Sequence, residues 1–358
     1  MSAMTEKIRV LIVDDSALMR KLLTTVLSAD GDIEVVGAAP DPYVAREQIK
    51  ALNPDVVTLD IEMPHMNGIE FLRKIMELRP TPVVMISTLT QAGAEITLEA
   101  LEIGAVDFVA KPADAGAVLH LGSELIPKIK SAAQARLRPR ITPLRRPQAR
   151  ASLPGPSDKI IAIGASTGGV EALKALLMEL PADVPPVLIT QHMPERFTGA
   201  FARRLDSECP MHVYEAGHNQ VIEHGCAYIA PGGHHLEIER RGGTLQCSLN
   251  DGPLVSGHRP SVDVLFHSVA KNVAPRAVGV ILTGMGKDGA DGLLAMRKAG
   301  CATLGQDEST ALVYGMPRVA FEIGAVERQF PLLGLPDAIL SACASAKPSS
   351  SLVAASHR

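Results

Sequence analysis

The sequence predicts two doubly wound α/β domains in series, and three observations carry that expectation. Short apolar runs alternate with helix-spaced runs through both halves, the pattern of parallel sheets covered on both faces. A basic, proline-rich stretch without a single acid between Glu124 and Asp158 separates the halves. At 358 residues the chain is also long enough to bury two cores. We therefore expect a first domain over 1–126 with a five-stranded parallel sheet. A linker then covers 127–157, and a second domain spans 158–346 with a mostly parallel sheet and an antiparallel hairpin. Residues 347–358 form a flexible tail.

Composition excludes several function classes. Hydrophobic residues make up 46% and charged residues 21%, ordinary for a globular protein, and with aromatics at 3% the cores must be filled by aliphatics. The formal charge of -4 argues against nucleic-acid binding. Five scattered cysteines without a CxxC pair fit reduced thiols, not a disulfide framework or zinc site. No apolar stretch resembles a signal region or approaches membrane-spanning length, so a cytoplasmic protein with no membrane insertion is expected.

In the first domain, strands are expected at Ile8–Val13, Glu34–Ala38, Val56–Leu59, Val83–Ile86 and Asp107–Val109. Helical runs lie between them at Leu18–Leu27, Tyr43–Leu52, Ile69–Glu77 and Glu95–Glu102. In such a sheet ligands sit beyond the carboxyl ends of the strands. Asp14 and Asp15 follow the first strand, Asp60 the third, Ser87 the fourth and Lys111 the fifth. Converging carboxylates repel unless a cation neutralises them, and oxygen ligands with room for water suit Mg²⁺. A lysine and a hydroxyl facing the same point suit an incoming phosphoryl group, with Asp60 the carboxylate best placed to accept it. Alone, Asp14-Asp15 would be a helix cap and Lys111-Pro112 a loop stop; successive strand ends make the set specific.

Val13-Asp14-Asp15-Ser16, Leu59-Asp60-Ile61-Glu62-Met63-Pro64 and Phe108-Val109-Ala110-Lys111-Pro112 resemble the receiver domain of bacterial response regulators over the whole first domain. The resemblance implies phosphorylation at Asp60 and a metal held by Asp14, Asp15 and Asp60. It also implies a switch pair of Ser87 and Phe108, and phosphoryl contact from Lys111.

The connector carries Lys128, Lys130, Arg136, Arg138, Arg140, Arg145, Arg146 and Arg150. Its first part extends the last receiver helix, and past Pro139 it reads as an extended tether. With no aromatic residue interleaved, it reads as a solvated linker in preference to a nucleic-acid patch.

The second domain opens on the apolar run Ile160–Ile163, which breaks into Gly164-Ala165-Ser166-Thr167-Gly168-Gly169 before a helical run. Ser166 thus sits on a strand–turn–helix corner, where small residues leave a hydroxyl accessible. A nucleophilic serine needs that geometry. So does a phosphate-cradling glycine loop, and tight packing remains a third possibility.

Further strands are expected at Val187–Thr190, Ala227–Ala230, Leu236–Glu239, Thr244–Leu249, Val278–Leu282 and Ala302–Leu304, with a hairpin at Gly242-Gly243. Helical runs are expected at Val170–Leu180, Phe197–Asp206, Val262–Val273, Gly289–Ala299 and Pro317–Ile323. His192 and Asp288 each follow an apolar strand, so they can meet Ser166 on one sheet edge. Serine needs a base, and imidazole a carboxylate to fix its tautomer. Glycines around Met285 would let backbone N–H groups point inward. Among 11 histidines, His218, His224, His234, His235, His258 and His267 compete with His192 for the base role. Asp288 and Asp291 could instead be turn formers or cation ligands, although they miss the calcium-loop spacing. The order Ser, His, Asp disfavours the common α/β-hydrolase fold.

Ile163-Gly164-Ala165-Ser166-Thr167-Gly168-Gly169, Gln191-His192-Met193-Pro194, Tyr228–Leu236, Gly257–Phe266 and Leu282–Ala290 resemble the catalytic domain of the chemotaxis protein-glutamate methylesterases. The resemblance implies a catalytic triad of Ser166, His192 and Asp288 and an oxyanion hole from Met285 and Thr167. It implies demethylation of glutamate γ-methyl esters, and deamidation of glutamines, on methyl-accepting chemoreceptors. A chemotaxis histidine kinase would be the phosphodonor, Mg²⁺ would serve the receiver, and the hydrolase step would use no cofactor. A monomer is expected. A nucleotide-binding module, favoured by saturable NAD or ATP binding, and a transcriptional output domain, tested by gel shift, are the competing functions.

Overall fold

The computed structural model describes residues 6–63, 66–88, 90–112, 115–137 and 158–344, with 91 and 115–120 described in backbone only. The tether from 138 to 157 and the tail at 347–358 lie outside the described residues.

The first domain is a parallel sheet of five strands. In chain order these are β1 (Ile8–Val13), β2 (Ile33–Ala39), β3 (Val56–Asp60), β4 (Val83–Ser87) and β5 (Asp107–Ala110), arranged β2-β1-β3-β4-β5. All five residues of β3 and of β4 are buried, which is why each reads as a mostly apolar run rather than an alternating one. Helices α1 (Ala17–Ser28), α2 (Pro42–Leu52), α3 (Gly68–Leu78), α4 (Gln91–Ile103) and α5 (Ala115–Ala133) connect or close it. Capping residues set where they begin. Ser16 accepts from Met19 N–H, Asp41 from Tyr43 and Val44 N–H, and Asn67 from Glu70 N–H. The order reverses between β1 and β3, so Asp14 and Asp60 end adjacent strands at the switch point.

The second domain carries seven parallel strands in the order β14-β13-β12-β6-β7-β9-β8. They are β6 (Ile160–Ala165), β7 (Val187–Gln191), β8 (His212–Glu215), β9 (Cys226–Ile229), β12 (Ala277–Ile281), β13 (Ala302–Gln306) and β14 (Arg328–Phe330). β10 (His235–Arg241) and β11 (Thr244–Asn250) form the separate antiparallel hairpin. Around them lie α6 (Gly169–Leu177), α7 (Glu195–Glu208), α8 (Val262–Asn272), α9 (Ala290–Lys298), α10 (Met316–Glu322) and α11 (Leu335–Ala344). The edge strands β8 and β14 and helix α11 are additions to what the sequence pattern predicts. β8 shows one buried residue of four and β14 none of three, so neither carries an apolar run to announce it. No described helix is long and apolar enough to cross a membrane.

The two sheets do not stand apart. One continuous buried cluster joins Leu98, Leu101 and Phe108 of the first domain to Val170, Phe197 and Phe201 of the second. Glu102 on α4 pairs with Lys174 on α6 at 2.6 Å and with Arg204 on α7 through Nε at 2.8 Å. Burial alone would raise the Glu102 carboxyl, yet Lys174 and Arg204 hold it below its ordinary range. That contribution is present above the ordinary carboxylate value and is lost as pH falls through the lowered one.

Gly164 fixes how α8 meets the central strand, because a β-carbon there would lie 2.2 Å from Val262 Cγ1. Gly164→Ala should therefore destabilise the second domain by ~1–3 kcal/mol through overpacking. Scanning calorimetry would show its transition falling while the first domain's holds; an unchanged transition would mean that α8 shifts without cost.

Candidate active site

Ser166, His192 and Asp288 leave the carboxyl ends of β6, β7 and β12, three neighbouring strands at the centre of the seven-stranded sheet. The first turn after β6 is tight. Gly168 takes φ +77 and starts α6, and Gly169 N–H closes the turn onto Ser166 O at 2.7 Å. Gln191 braces both strand ends, its amide nitrogen donating to Ser166 O at 2.9 Å and to His192 O at 3.2 Å.

Ser166 Oγ lies 3.1 Å from His192 Nδ1, and His192 Nε2 lies 2.7 Å from Asp288 Oδ2. Asp288 is almost wholly buried, with four donors around it. Besides His192, Ser261 Oγ donates to Oδ1 at 2.7 Å, Val262 N–H to Oδ2 at 2.7 Å and Asp263 N–H to Oδ1 at 3.2 Å. The last two belong to the first turn of α8, so the carboxylate sits on a helix N-terminus. Burial pushes its pKa up, but His192 and these donors outweigh burial and hold it well below the usual carboxylate range. An ionised carboxylate only accepts, so Nε2 carries the imidazole proton and Nδ1 faces Ser166 as an acceptor.

Asp263 returns the favour to α9. Its Oδ1 accepts Gly292 N–H at 2.7 Å, and burial followed by the neighbouring Asp288 raises its pKa. The segment carrying these groups also places His258 face to face on His192, with ring centroids 3.7 Å apart and planes 12° from parallel. The sequence offers His258 only as a rival base and leaves Ser261 and Asp263 without a role. The signal was their clustering within Gly257–Asp263, but no spacing rule converts that cluster into contacts with a strand-end aspartate.

Met285 and Thr167 border the same cavity of about 540 Å³ as Ser166 and His192. Among the described residues neither backbone N–H donates to a protein acceptor. Gly284 brings the Met285 loop against the serine, since a β-carbon there would lie 2.7 Å from Ser166 Cβ. The Thr167 hydroxyl, however, is taken by the first domain, donating to Asp107 Oδ2 at 2.5 Å.

In the first domain, ligand oxygens of Asp14, Asp15 and Asp60 lie within 4.8 Å of one another. Lys111 Nζ is 2.7 Å from Asp60 Oδ2 and 3.5 Å from Asp14 Oδ2. Both Oδ2 atoms are buried and receive no aligned hydrogen bond, only that ammonium. Burial, opposed by Lys111, raises Asp60 to about 6 and moves Asp14 upward as well. The Ser87 hydroxyl is engaged with α4, accepting from Thr97 Oγ1 at 2.6 Å. Phe108 is buried at the domain interface, its ring centroid 4.4 Å from that of Phe197. Lys128 lies over the same ring and donates to Phe108 O at 2.5 Å.

A five-stranded sheet with an acid cluster at its switch point, packed on a parallel sheet with a Ser–His–Asp line at its centre, defines a receiver-linked serine hydrolase. Known proteins agree with that class. The model of the CheB methylesterase family matches residues 161–339, and that of the response regulator receiver domain matches residues 10–121. The chain is 60% identical over 341 residues to protein-glutamate methylesterase/protein-glutamine glutaminase 1 of Caulobacter vibrioides, covering 93% of this chain and 97% of that one. It is 55% identical over 347 residues to the protein of the same name from Dechloromonas aromatica, covering 94% and 98%. The crystal structure of the Thermotoga maritima CheB methylesterase catalytic domain superposes with a TM-score of 0.50 at 35% identity, covering 51% of this chain and 97% of that one. The chain belongs to the CheB methylesterase family.

Proposed function

We propose that this chain is a phosphorylation-controlled protein-glutamate methylesterase and protein-glutamine glutaminase acting on methyl-accepting chemoreceptors. The observation that carries the hydrolase chemistry is the unbroken line Ser166 Oγ, His192, Asp288. Ser166 Oγ attacks the γ-carbonyl while His192 Nδ1 takes its proton. The oxyanion faces the free N–H groups of Met285 and Thr167. Collapse forms the glutamyl–Oγ ester and expels methanol, or ammonia from an amide, with His192 returning the proton. Water then attacks the acyl-enzyme, His192 again acting as base, and Ser166 is freed. Asp288 keeps the proton on Nε2 throughout.

On the receiver, Asp60 is the phosphorylation site, with a chemotaxis histidine kinase as donor. Asp14, Asp15 and Asp60 form an oxygen-only set that fits Mg²⁺. Mg²⁺ bound there would offset the negative charge that the acid cluster presents to an incoming phosphoryl group. Lys111 contacts that group, and Ser87 with Phe108 forms the switch pair. The contacts of Asp107 with Thr167 and of Phe108 with Phe197 support a receiver that restrains the hydrolase until it is phosphorylated.

Ser166→Ala and His192→Gln should each lower methanol release from methylated receptor membranes by at least roughly 10³-fold. A folded Ser166→Ala protein that keeps a tenth of the wild-type rate removes Ser166 as nucleophile.

A small phosphodonor with Mg²⁺ should place one hydroxylamine-sensitive phosphate on the wild type and none on Asp60→Asn. The raised carboxyls make the ionised cluster a cost to the metal-free fold above about pH 6, and Mg²⁺ must displace their protons. The melting increment from Mg²⁺ should thus be larger at pH 7.5 than at pH 5; an increment independent of pH would place the ion elsewhere.

Asp107→Ala should raise the basal rate of the unphosphorylated full-length protein, roughly 5- to 30-fold if a charge-assisted hydrogen bond of ~1–2 kcal/mol biases the docked state. Phosphorylation should then add correspondingly less. A basal rate equal to wild type would show that this contact does not restrain the enzyme.

A further inference from the structure

We propose that His258 is a positioning residue for the hydrolytic reaction, its ring holding His192 by the face and stabilising that imidazole whenever it carries the serine proton. The inference rests on the assignment of His192 as the base.

One short segment grips both partners of Ser166. Val255 and His258 bond each other's backbone, Val255 N–H to His258 O at 3.1 Å and His258 N–H to Val255 O at 2.9 Å. The turn between them places Ser256 at φ +53 and Gly257 at φ +82. That closed turn fixes where the His258 ring emerges. Three residues further on, Ser261, Val262 and Asp263 supply the donors that hold Asp288. The imidazole is therefore fixed at its edge by Asp288 and at its face by His258, both set by the same stretch of chain.

The ring of His258 has no other visible task. Among the described residues neither of its nitrogens hydrogen-bonds to protein, and Ser166 Oγ faces His192 instead. What it offers is an aromatic face, 3.7 Å from a ring that becomes cationic twice in each turnover. That face helps only while His258 is itself neutral. Its neighbours secure this: burial first, then His192 and Lys128 of α5 disfavour its protonation, with Asp288 opposing, so that its pKa is pushed down to about 4. Lys128 is in turn paired with Asp107 and Glu124, and Arg259 turns its guanidinium to the carbonyls of Asp251 and Gly252.

The test is steady-state methanol release by the full-length protein on methylated receptor membranes, with pH profiles, for His258→Ala, His258→Phe and His192→Gln. His258→Ala should lower kcat roughly 3- to 30-fold, the range of a desolvated cation–aromatic contact. KM should change little, and the acid limb of kcat/KM should move to lower pH, because the protonated base has lost support. His258→Phe keeps the face and should recover most of kcat and the wild-type limb. If His258→Ala does not fold, His258→Gln, which fills the space without an aromatic face, takes its place. Wild-type kcat and limb in the folded variant, or a loss confined to KM, overturns the proposal. The His192→Gln arm separates the two failures: activity there removes the base assignment, whereas its loss with a normal His258→Ala removes this inference alone.

Discussion

The constraint on which the catalytic domain depends is the burial of an ionised carboxylate at the end of β12. An unpaired buried carboxylate is not tolerated, so Asp288 is where sheet, helix and chemistry must agree. α8 supplies its first-turn amides, Ser261 its hydroxyl and His192 its N–H. Asp263, one residue into that helix, meanwhile accepts the first-turn Gly292 N–H of α9, the helix that follows Asp288. Two helices thus terminate on each other's aspartates. The arrangement locks α8, α9 and the Met285 loop as one unit, with Gly292 letting α9 close on α8 and Gly164 and Gly289 letting the unit settle against the sheet. The geometry of the Ser166–His192–Asp288 line follows from this lock, because the ionised carboxylate held there draws the imidazole proton to Nε2.

The chain order of the site follows from the strand order. β6 is laid down first and lies central; β7 is added on one side, and β12 is added late on the other. Ser, His and Asp therefore appear in that order in sequence while lying side by side in space. The same reversal at β1 and β3 makes the receiver's acid cluster. Both domains use the one place in an open parallel sheet where neighbouring strand ends diverge and leave a crevice.

Much of this was legible in the sequence for a physical reason. A fully buried parallel strand must be an apolar run, so its end is visible, and polar residues just beyond it stand out: Asp14, Asp60, Lys111, Ser166, His192 and Asp288. Where burial is partial, the signal fades. β8 and β14 are edge strands with little to bury, and α11 is covered on a face whose partners come from distant segments. The stack of His258 on His192 and the contact of Thr167 with Asp107 were illegible for another reason. They join residues remote in sequence through side chains whose direction is set only after the elements pack. The receiver meets the second domain through α4 and β5, with Lys128 of α5 close to His258.

Under the proposed function, β5 is the physical link between a phosphate on Asp60 and the hydrolase. Lys111, immediately after β5, contacts Asp60, whereas Phe108 and Asp107 at its start contact Phe197 and Thr167. Only about three residues separate the ring from the lysine, ~10 Å of extended chain. A charge change at Asp60 is felt by Lys111 directly, and by Ser87 on the neighbouring β4, whose hydroxyl is at present committed to Thr97. Phe108 lies on β5, the strand paired with β4, opposite Met85 and two residues from the register position of Ser87. The ring can then exchange its packing against Phe197 for packing within the receiver. The interface combines that aromatic pair and the carboxylate–hydroxyl contact with the Glu102 ion cluster and a shared apolar cluster, and where docked and undocked states are nearly balanced a bias of only ~2–3 kcal/mol passes it from mostly closed to mostly open. Loss of a single buried aromatic contact together with one charge-assisted hydrogen bond is of that order. Under the proposed function, a restraint of that size covers Ser166 and is weak enough for one phosphate on Asp60 to release it.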